Sequence, residues 1–282
     1  MKIAILIQVH KNPEQVGRLC RALGHPCADL YLSIDGKCNP EPFRAAVPES
    51  VRWIERRTAV RWGDFSQVAA TLQGLREIVD TGVEYDYVLF ISGQDYPILP
   101  VGEIVRQIGE RTGSEMIARI ELRPEHPLSR RYRYRHYHFA RPAVTHAVNR
   151  LIRTLSPARR SYPLYPVYKG SPWWCLSGAC IRYVLDYCDR NPGFVRFNRT
   201  VHCPDELFFQ TIIMHSPFAE RVTGDNCRYI DWSAGLANPK TLGSEDYEAV
   251  VASGKWFARK LDETADSRLL DLLDAYRRSE AE

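Results

Sequence analysis

No apolar run in this 282-residue chain approaches the roughly 20 residues that a bilayer-spanning helix needs, which excludes a transmembrane bundle. None of the eight cysteines (Cys20, Cys27, Cys38, Cys175, Cys180, Cys188, Cys203 and Cys227) forms a Cys-x-x-Cys pair, so a cysteine zinc site is not expected. The N-terminal Met1-Lys2-Ile3-Ala4-Ile5-Leu6-Ile7 is interrupted by Gln8, His10, Lys11 and Asn12, with no small-residue cleavage site after it. It reads as a buried first strand and not a leader, and buried thiols are then the expected state of the cysteines rather than disulfides. In that setting the sequon Asn198-Arg199-Thr200 reads as chance. There are no internal repeats and no low-complexity tail. Net charge is also scarce: +4, with a pI near 8.6, suits anionic ligands without demanding nucleic acid. What remains, 45% hydrophobic and 26% charged residues, is the make-up of an ordinary globular domain with a sizeable core.

The first hundred residues alternate strand and helix. Lys2 to Val9 is an apolar run, Pro13 to Leu23 has helical spacing through Val16, Leu19 and Leu23, and Asp29 to Ile34 is a second strand ending in Asp35-Gly36-Lys37. A short strand follows at Val51 to Ile54, then a helix capped by Ser66, then a strand from Tyr87 to Ile91 ending in Ser92-Gly93-Gln94-Asp95. This order predicts an α/β fold, a mostly parallel sheet flanked by helices, in which ligands bind at the carboxyl ends of the strands. His10, Asp35 and Asp95 fall just past those ends. From 121 to 170 the character changes: ten arginines lie between Arg123 and Arg160, Arg and His alternate with aromatics from Tyr132 to Phe139, and prolines stand at 142, 157, 163 and 166. An exposed strand or hairpin, a long loop and a short helix near Val144 to Leu155 are expected there. Helices are expected at Ile181 to Cys188, Glu206 to His215, Glu245 to Gly254 and Asp266 to Arg278, with a short strand at Arg228 to Asp231.

Two places carry the chemistry. Cys203-Pro204-Asp205-Glu206 sets two carboxylates at the mouth of an expected helix, where backbone N–H groups favour an anion. Glu206 is either a general base or, with Asp205, a complement to the helix dipole. Arg228, Arg259 and Lys260 are either cations for a diphosphate leaving group or a solvated surface set. The chain has no Asp-x-Asp after a strand to hold a metal, and Glu84-Tyr85-Asp86 precedes its strand. Asp35 either accepts hydrogen bonds from a ribose or uracil or serves its turn, and His10 is kept as a nucleotide-pocket residue. Trp173 and Trp174 offer flat surface to sugar rings, or are core. The basic ladder at 131–139 is read as a wall for an anionic acceptor or a solvated face; its charge is too local for RNA to lead, and no nucleic acid partner is expected.

Seven blocks in order carry a resemblance. They are Leu6-Ile7-Gln8-Val9-His10-Lys11-Asn12-Pro13, Ser33-Ile34-Asp35-Gly36-Lys37, Arg61-Trp62-Gly63-Asp64-Phe65-Ser66, Ser92-Gly93-Gln94-Asp95-Tyr96-Pro97-Ile98, Lys169-Gly170-Ser171-Pro172-Trp173-Trp174, Pro204-Asp205-Glu206 and Phe257-Ala258-Arg259-Lys260. From about Lys2 to Asp262 the chain resembles the core-2/I-branching N-acetylglucosaminyltransferase and peptide xylosyltransferase family, glycosyltransferase family 14.

The resemblance implies a single GT-A-like domain over residues 1–262, with 121–170 as its acceptor side and 263–282 as a C-terminal helix packed on it. It implies an inverting transfer from a UDP-sugar, N-acetylglucosamine or xylose, without a divalent metal or other cofactor, to a glycan, lipid-linked or small-molecule hydroxyl. Glu206 would be the base, and Lys260, Arg259, Arg228, Asp35, Asp95 and His10 would line the donor site. Glu121, with Glu125 as its rival, would meet the acceptor beside Asp205, Trp173 and Trp174. Animal members carry an anchor, a stem and paired cysteines, none of which is seen here. A bacterial, cytoplasmic protein is therefore expected, with peripheral contact at the inner membrane face where the acceptor is lipid-linked. The alternative is a nucleotide-sugar or polyanion binder without catalysis.

Overall fold

The computed structural model describes residues 1–139, 141–155, 160–235 and 238–280. Pro157 and Arg159 of the basic stretch, and the last two residues of the C-terminal segment, lie outside them. The strands are β1 (Ile3–Val9), β2 (Ala28–Ile34), β3 (Arg52–Trp53), β4 (Tyr87–Ser92), β5 (Asp95–Pro97), β6 (Ile120–Leu122), β7 (Val167–Lys169), β8 (Trp174–Ser177), β9 (Arg228–Ile230) and β10 (Phe257–Arg259). Five of them form the central sheet in the order β3-β2-β1-β4-β8, parallel except where β8 runs antiparallel to β4.

The sheet explains the apolar run that opens the chain. Every residue of β1 is buried, because both faces of the sheet are covered. Ile3, Ile5 and Ile7 point into a core shared with Val16 and Leu19 of helix Pro13–Ala22 and with Leu269, Leu270 and Leu273 of helix Arg268–Ser279. Ala4 and Leu6 point the other way, toward Leu72 and Leu75 of helix Ser66–Asp80, Ile181 and Val184 of helix Gly178–Arg190 and Ile212 of helix Phe208–Met214. The C-terminal helix is thus part of the same core as the first strand. All eight cysteines are free thiols, six of them buried. No helix of the described residues is long and apolar enough to cross a membrane.

Two smaller sheets carry the residues past the strand ends. In the order β5-β10-β9, Arg259 stands opposite Asp95 and Phe257 opposite Arg228. β6 pairs antiparallel with β7, Ile120 opposite Lys169 and Glu121 opposite Tyr168.

Three local expectations are corrected. Ser66 does not cap its helix; Asp64 Oδ1 accepts the Ser66 N–H at 2.8 Å, while the Ser66 hydroxyl accepts from Arg61 N. Glu206 does not open a long helix: Pro204–Glu206 is a single 3-10 turn, Leu207 at φ −123° breaks the path, and the α-helix starts at Phe208. One such turn has almost no macrodipole, so side chains must hold the carboxylate. The ladder at 131–139 is no strand. Arg130–Arg133 is a helical turn, with Tyr132 buried edge-on against Tyr162. The stretch after it is tied by single bonds, His136 N to Thr200 O and Tyr137 N to Asn149 Oδ1, with no partner strand alongside among the described residues.

Candidate active site

The cationic end of the site is built where β1, β2 and β10 finish. His10 follows β1 and Asp35 follows β2, as the strand pattern predicts. Asp35 Oδ1 accepts from Lys37 N at 2.9 Å and Val60 N at 3.3 Å, while Oδ2 lies 3.4 Å from the Lys37 ammonium. Its turn role is therefore the one on display. Lys11 pairs with Asp262, and Asn12 donates to the other oxygen of that carboxylate at 2.7 Å. Lys260, next to Arg259 at the end of β10, is half-buried and has no carboxylate within ion-pair distance among the described residues. Burial, then the charges of Lys11 and Arg259, pull its ammonium below the ordinary lysine value. Partial burial and the Lys11 charge do the same to His10, which Asp35 opposes.

Asp95, Arg228 and Arg259 form one buried ion cluster. Asp95 is fully buried; its Oδ2 accepts from Ser92 N and Oγ, each at 2.7 Å, and from Arg259 at 3.0 Å. Its Oδ1 faces Arg228 Nε at 3.4 Å. Arg228 gives its two terminal nitrogens to backbone carbonyls of Asn226 and Phe90, each at 2.6 Å. Burial pulls that guanidinium below its ordinary value. Asp95 and Arg228 are both buried, so their expected place against the donor is corrected: Asp95 sits between the two guanidiniums and holds Arg259, which also lies 4.6 Å over the ring of Trp173. Trp174 is wholly buried against Phe90 and Phe209, which makes it core and not a sugar platform.

The carboxylate end lies across the strip from Lys169 to Trp173. Arg131 donates to Glu206 Oε2 at 2.5 Å, and Lys169 Nζ stands 3.1 Å from the same oxygen. Oε1 of Glu206 has no protein partner among the described residues. Gly170 N donates to Glu206 O at 2.9 Å, which fixes the turn to the end of β7. Asp205 is half-buried with an unpartnered, solvent-inaccessible Oδ1. Burial, then the neighbouring charge of Glu206, pushes its carboxyl up to about 7. Because Lys169 touches Glu206 and Trp173 touches Arg259, four Cα steps of at most about 14 Å connect the two ends. Glu121 does not join them. Side chains alternate along a strand, so Glu121 projects from the face of the β6–β7 ribbon opposite Lys169, into solvent.

Sequence reasoning missed Arg131, Lys169 and Lys11. Lys169 and Lys11 stand inside blocks already singled out, while nothing local separates Arg131 from the other arginines of its stretch. It also missed three histidines near Glu206: one side-chain nitrogen from each of His136, His138 and His202 lies within 4.8 Å of the other two.

The family described as core-2/I-branching enzyme matches residues 3–252. The chain is 22% identical over 298 residues to the beta-1,3-galactosyl-O-glycosyl-glycoprotein beta-1,6-N-acetylglucosaminyltransferase 4 of Mus musculus, covering 96% of this chain and 64% of that one. It is 23% identical over 304 residues to xylosyltransferase 2 of Rattus norvegicus, covering 97% of this chain and 33% of that one. The chain thus spans just under two thirds of the first relative and a third of the second. Among solved structures, mouse xyloside xylosyltransferase 1 superposes at a TM-score of 0.37 with 12% identity, over 89% of this chain and 93% of that one, a likeness too loose to add to the fold described. With the match covering nearly the whole of its length, the chain belongs to the core-2/I-branching enzyme family.

Proposed function

We propose that this protein is an inverting glycosyltransferase that moves a sugar, N-acetylglucosamine or xylose, from a UDP-sugar to a hydroxyl of a glycan, lipid-linked or small-molecule acceptor. The observation that carries the reading is the half-buried Lys260 ammonium, with no carboxylate in ion-pair distance among the described residues and beside Lys11 and Arg259, one short strip away from Glu206. A cation left unpaired and partly desolvated among other cations is unfavourable unless an anion arrives. A nucleoside diphosphate is such an anion, and its negative charge grows as the glycosidic bond breaks.

The step balances as a single displacement. The acceptor oxygen attacks C1 while its proton passes to Glu206; the bond from C1 to the β-phosphate oxygen breaks, and UDP leaves with the electron pair. Attack from the opposite side gives the β-linked product. Arg131 and Lys169 both grip Oε2, which leaves Oε1 as the atom that takes the proton. Arg259, anchored by Asp95, and Lys260 with Lys11 neutralise the diphosphate in place of a metal. Trp173, largely buried on Phe90 and stacked on Arg259, ends the strip that joins the two ends and supports Arg259 from beneath.

The test is donor turnover, including slow hydrolysis of UDP-N-acetylglucosamine and UDP-xylose, in EDTA. Glu206→Gln is expected to lower kcat by at least about 100-fold, within the usual range for losing a general base, while UDP affinity barely changes. An active Glu206→Gln enzyme sinks the assignment of the base. Turnover or UDP binding that requires added magnesium or manganese contradicts the cationic mechanism. UDP binding with no turnover of any donor points instead to a binding protein.

A further inference from the structure

We propose that His136, His138 and His202 bind a divalent transition-metal ion of the zinc type, and that this ion clamps the acceptor-side segment to the turn that carries Glu206. The three imidazoles come from two separate stretches. His136 and His138 lie on the irregular run after the Arg130–Arg133 turn, and His202 directly precedes Cys203-Pro204-Asp205-Glu206. Their ring centroids lie 4.6, 4.3 and 6.1 Å apart, and one nitrogen of each falls within 4.8 Å of the other two. Tetrahedral zinc with nitrogen ligands at about 2.0–2.1 Å sets its donors about 3.3 Å apart. The cluster is therefore about 1.5 Å from closing at its widest, which imidazole rotation on half-buried side chains can supply.

Two further features mark a metal cradle rather than a chance stack. His202 Nδ1 is out of reach of solvent and has no hydrogen-bond partner among the described residues, an orphaned polar atom beside the other two rings. One nitrogen of His138 already has the kind of outer partner that orients a ligating histidine: Nε2 lies 3.0 Å from the carbonyl of Gly63, which fixes Nδ1 as the free donor. Gly63 itself, at φ +72°, is pressed against the cluster; a Cβ there would come within 3.1 Å of His202 Cε1 and 3.3 Å of His202 Nδ1. No carboxylate pairs with these rings among the described residues, so they are not a surface salt-bridge network.

The placement explains the role. The carbonyl of Arg131 accepts His202 N at 3.0 Å while its guanidinium grips Glu206, and His136 N donates to Thr200 O at 2.9 Å. These few bonds join the two stretches; three ligand bonds would add far more. The ion acts through position, on Arg131 and hence on Glu206, and does not touch the diphosphate cations Lys260 and Lys11. It belongs to the acceptor side, and the transfer step is not routed through it.

The experiment uses the full chain, stripped with EDTA, titrated with zinc chloride by calorimetry and with cobalt(II) by visible absorption. One equivalent of zinc is expected to bind at micromolar concentration or tighter, and cobalt(II) to give the intense bands of a four-coordinate site. His138→Ala and His202→Gln should each weaken uptake by at least about tenfold. His138→Ala sits on an irregular run and is expected to keep the metal-free melting temperature, which separates lost ligation from lost folding. No saturable uptake by the wild-type chain, or uptake unchanged in both variants, overturns the proposal. Stabilisation by UDP in EDTA is read on the same samples and stands or falls independently, so failure of the metal site and failure of the transferase reading are distinguishable.

Discussion

Lys260 and Asp95 show how one residue's surroundings set the sign of its contribution. Lys260 is an ammonium crowded by the like charges of Lys11 and Arg259, while Asp95 is the one carboxylate between two guanidiniums. Lys260→Ala is expected to leave folding stability unchanged or slightly higher and to weaken UDP binding about tenfold or more, the scale of a lost charge-assisted hydrogen bond. Asp95→Asn is expected to do the opposite first. It leaves Arg228 buried and uncompensated, at a cost of about 3–5 kcal/mol read by urea denaturation, and UDP binding weakens only because Arg259 loses its anchor. Equal stability of the two variants would refute the assignment of Asp95 as support rather than ligand.

At the scale of elements, the strip from the end of β7 into β8 decides whether the two ends of the site face each other. Gly170 is its narrowest point: a Cβ there would lie 1.7 Å from the carbonyl oxygen of Ala118, backbone that cannot swing aside. Gly170→Ala is expected to cost about 1–3 kcal/mol or more by overpacking, and to lower turnover further because Lys169 and Glu206 move with it. Gly193 is the control. It sits in helix Pro192–Asn198 with nothing within 4 Å of a Cβ, so Gly193→Ala should be neutral or stabilising by about 0.4–1 kcal/mol. Thermal melts of the two variants side by side check this.

For the molecule as a whole, Asp205 writes the active site into the pH dependence of stability. Its carboxyl titrates near 7 in the folded protein, against about 3.9 in an unfolded chain. Between these values the folded state keeps a proton that the unfolded state has released. Stability from this group is therefore greatest below about pH 4, falls as pH rises toward 7, and is flat above. Asp205→Asn removes that slope and should be the more stable protein above pH 7, by a few kcal/mol at most. The comparison between the two chains cancels the histidines, which titrate in both. A wild-type-minus-variant difference independent of pH would show that Asp205 is not held protonated.

Much of the architecture was legible because it is local. β1 is apolar at every position and lies in a sheet covered on both faces; the turns after β1 and β2 bring His10 and Asp35 to the strand ends the pattern indicates; and seven short blocks in order resemble one family, to which the chain belongs. The sequence by itself determined the α/β class, the order of the elements and the neighbourhood of Glu206 and Lys260. Tertiary structure alone decided which members of a residue type act. Trp173 and Trp174 both pack on Phe90, but Trp173, just before β8, also meets the Arg259 guanidinium while Trp174 is wholly enclosed, a difference set by neighbours distant in sequence. Arg259 reaches the site while Arg228 is spent on carbonyls beneath it. Arg131 finds Glu206 75 positions along the chain, and His136, His138 and His202 converge from two loops. Such pairings depend on burial and on partners distant in sequence, and no local periodicity encodes them.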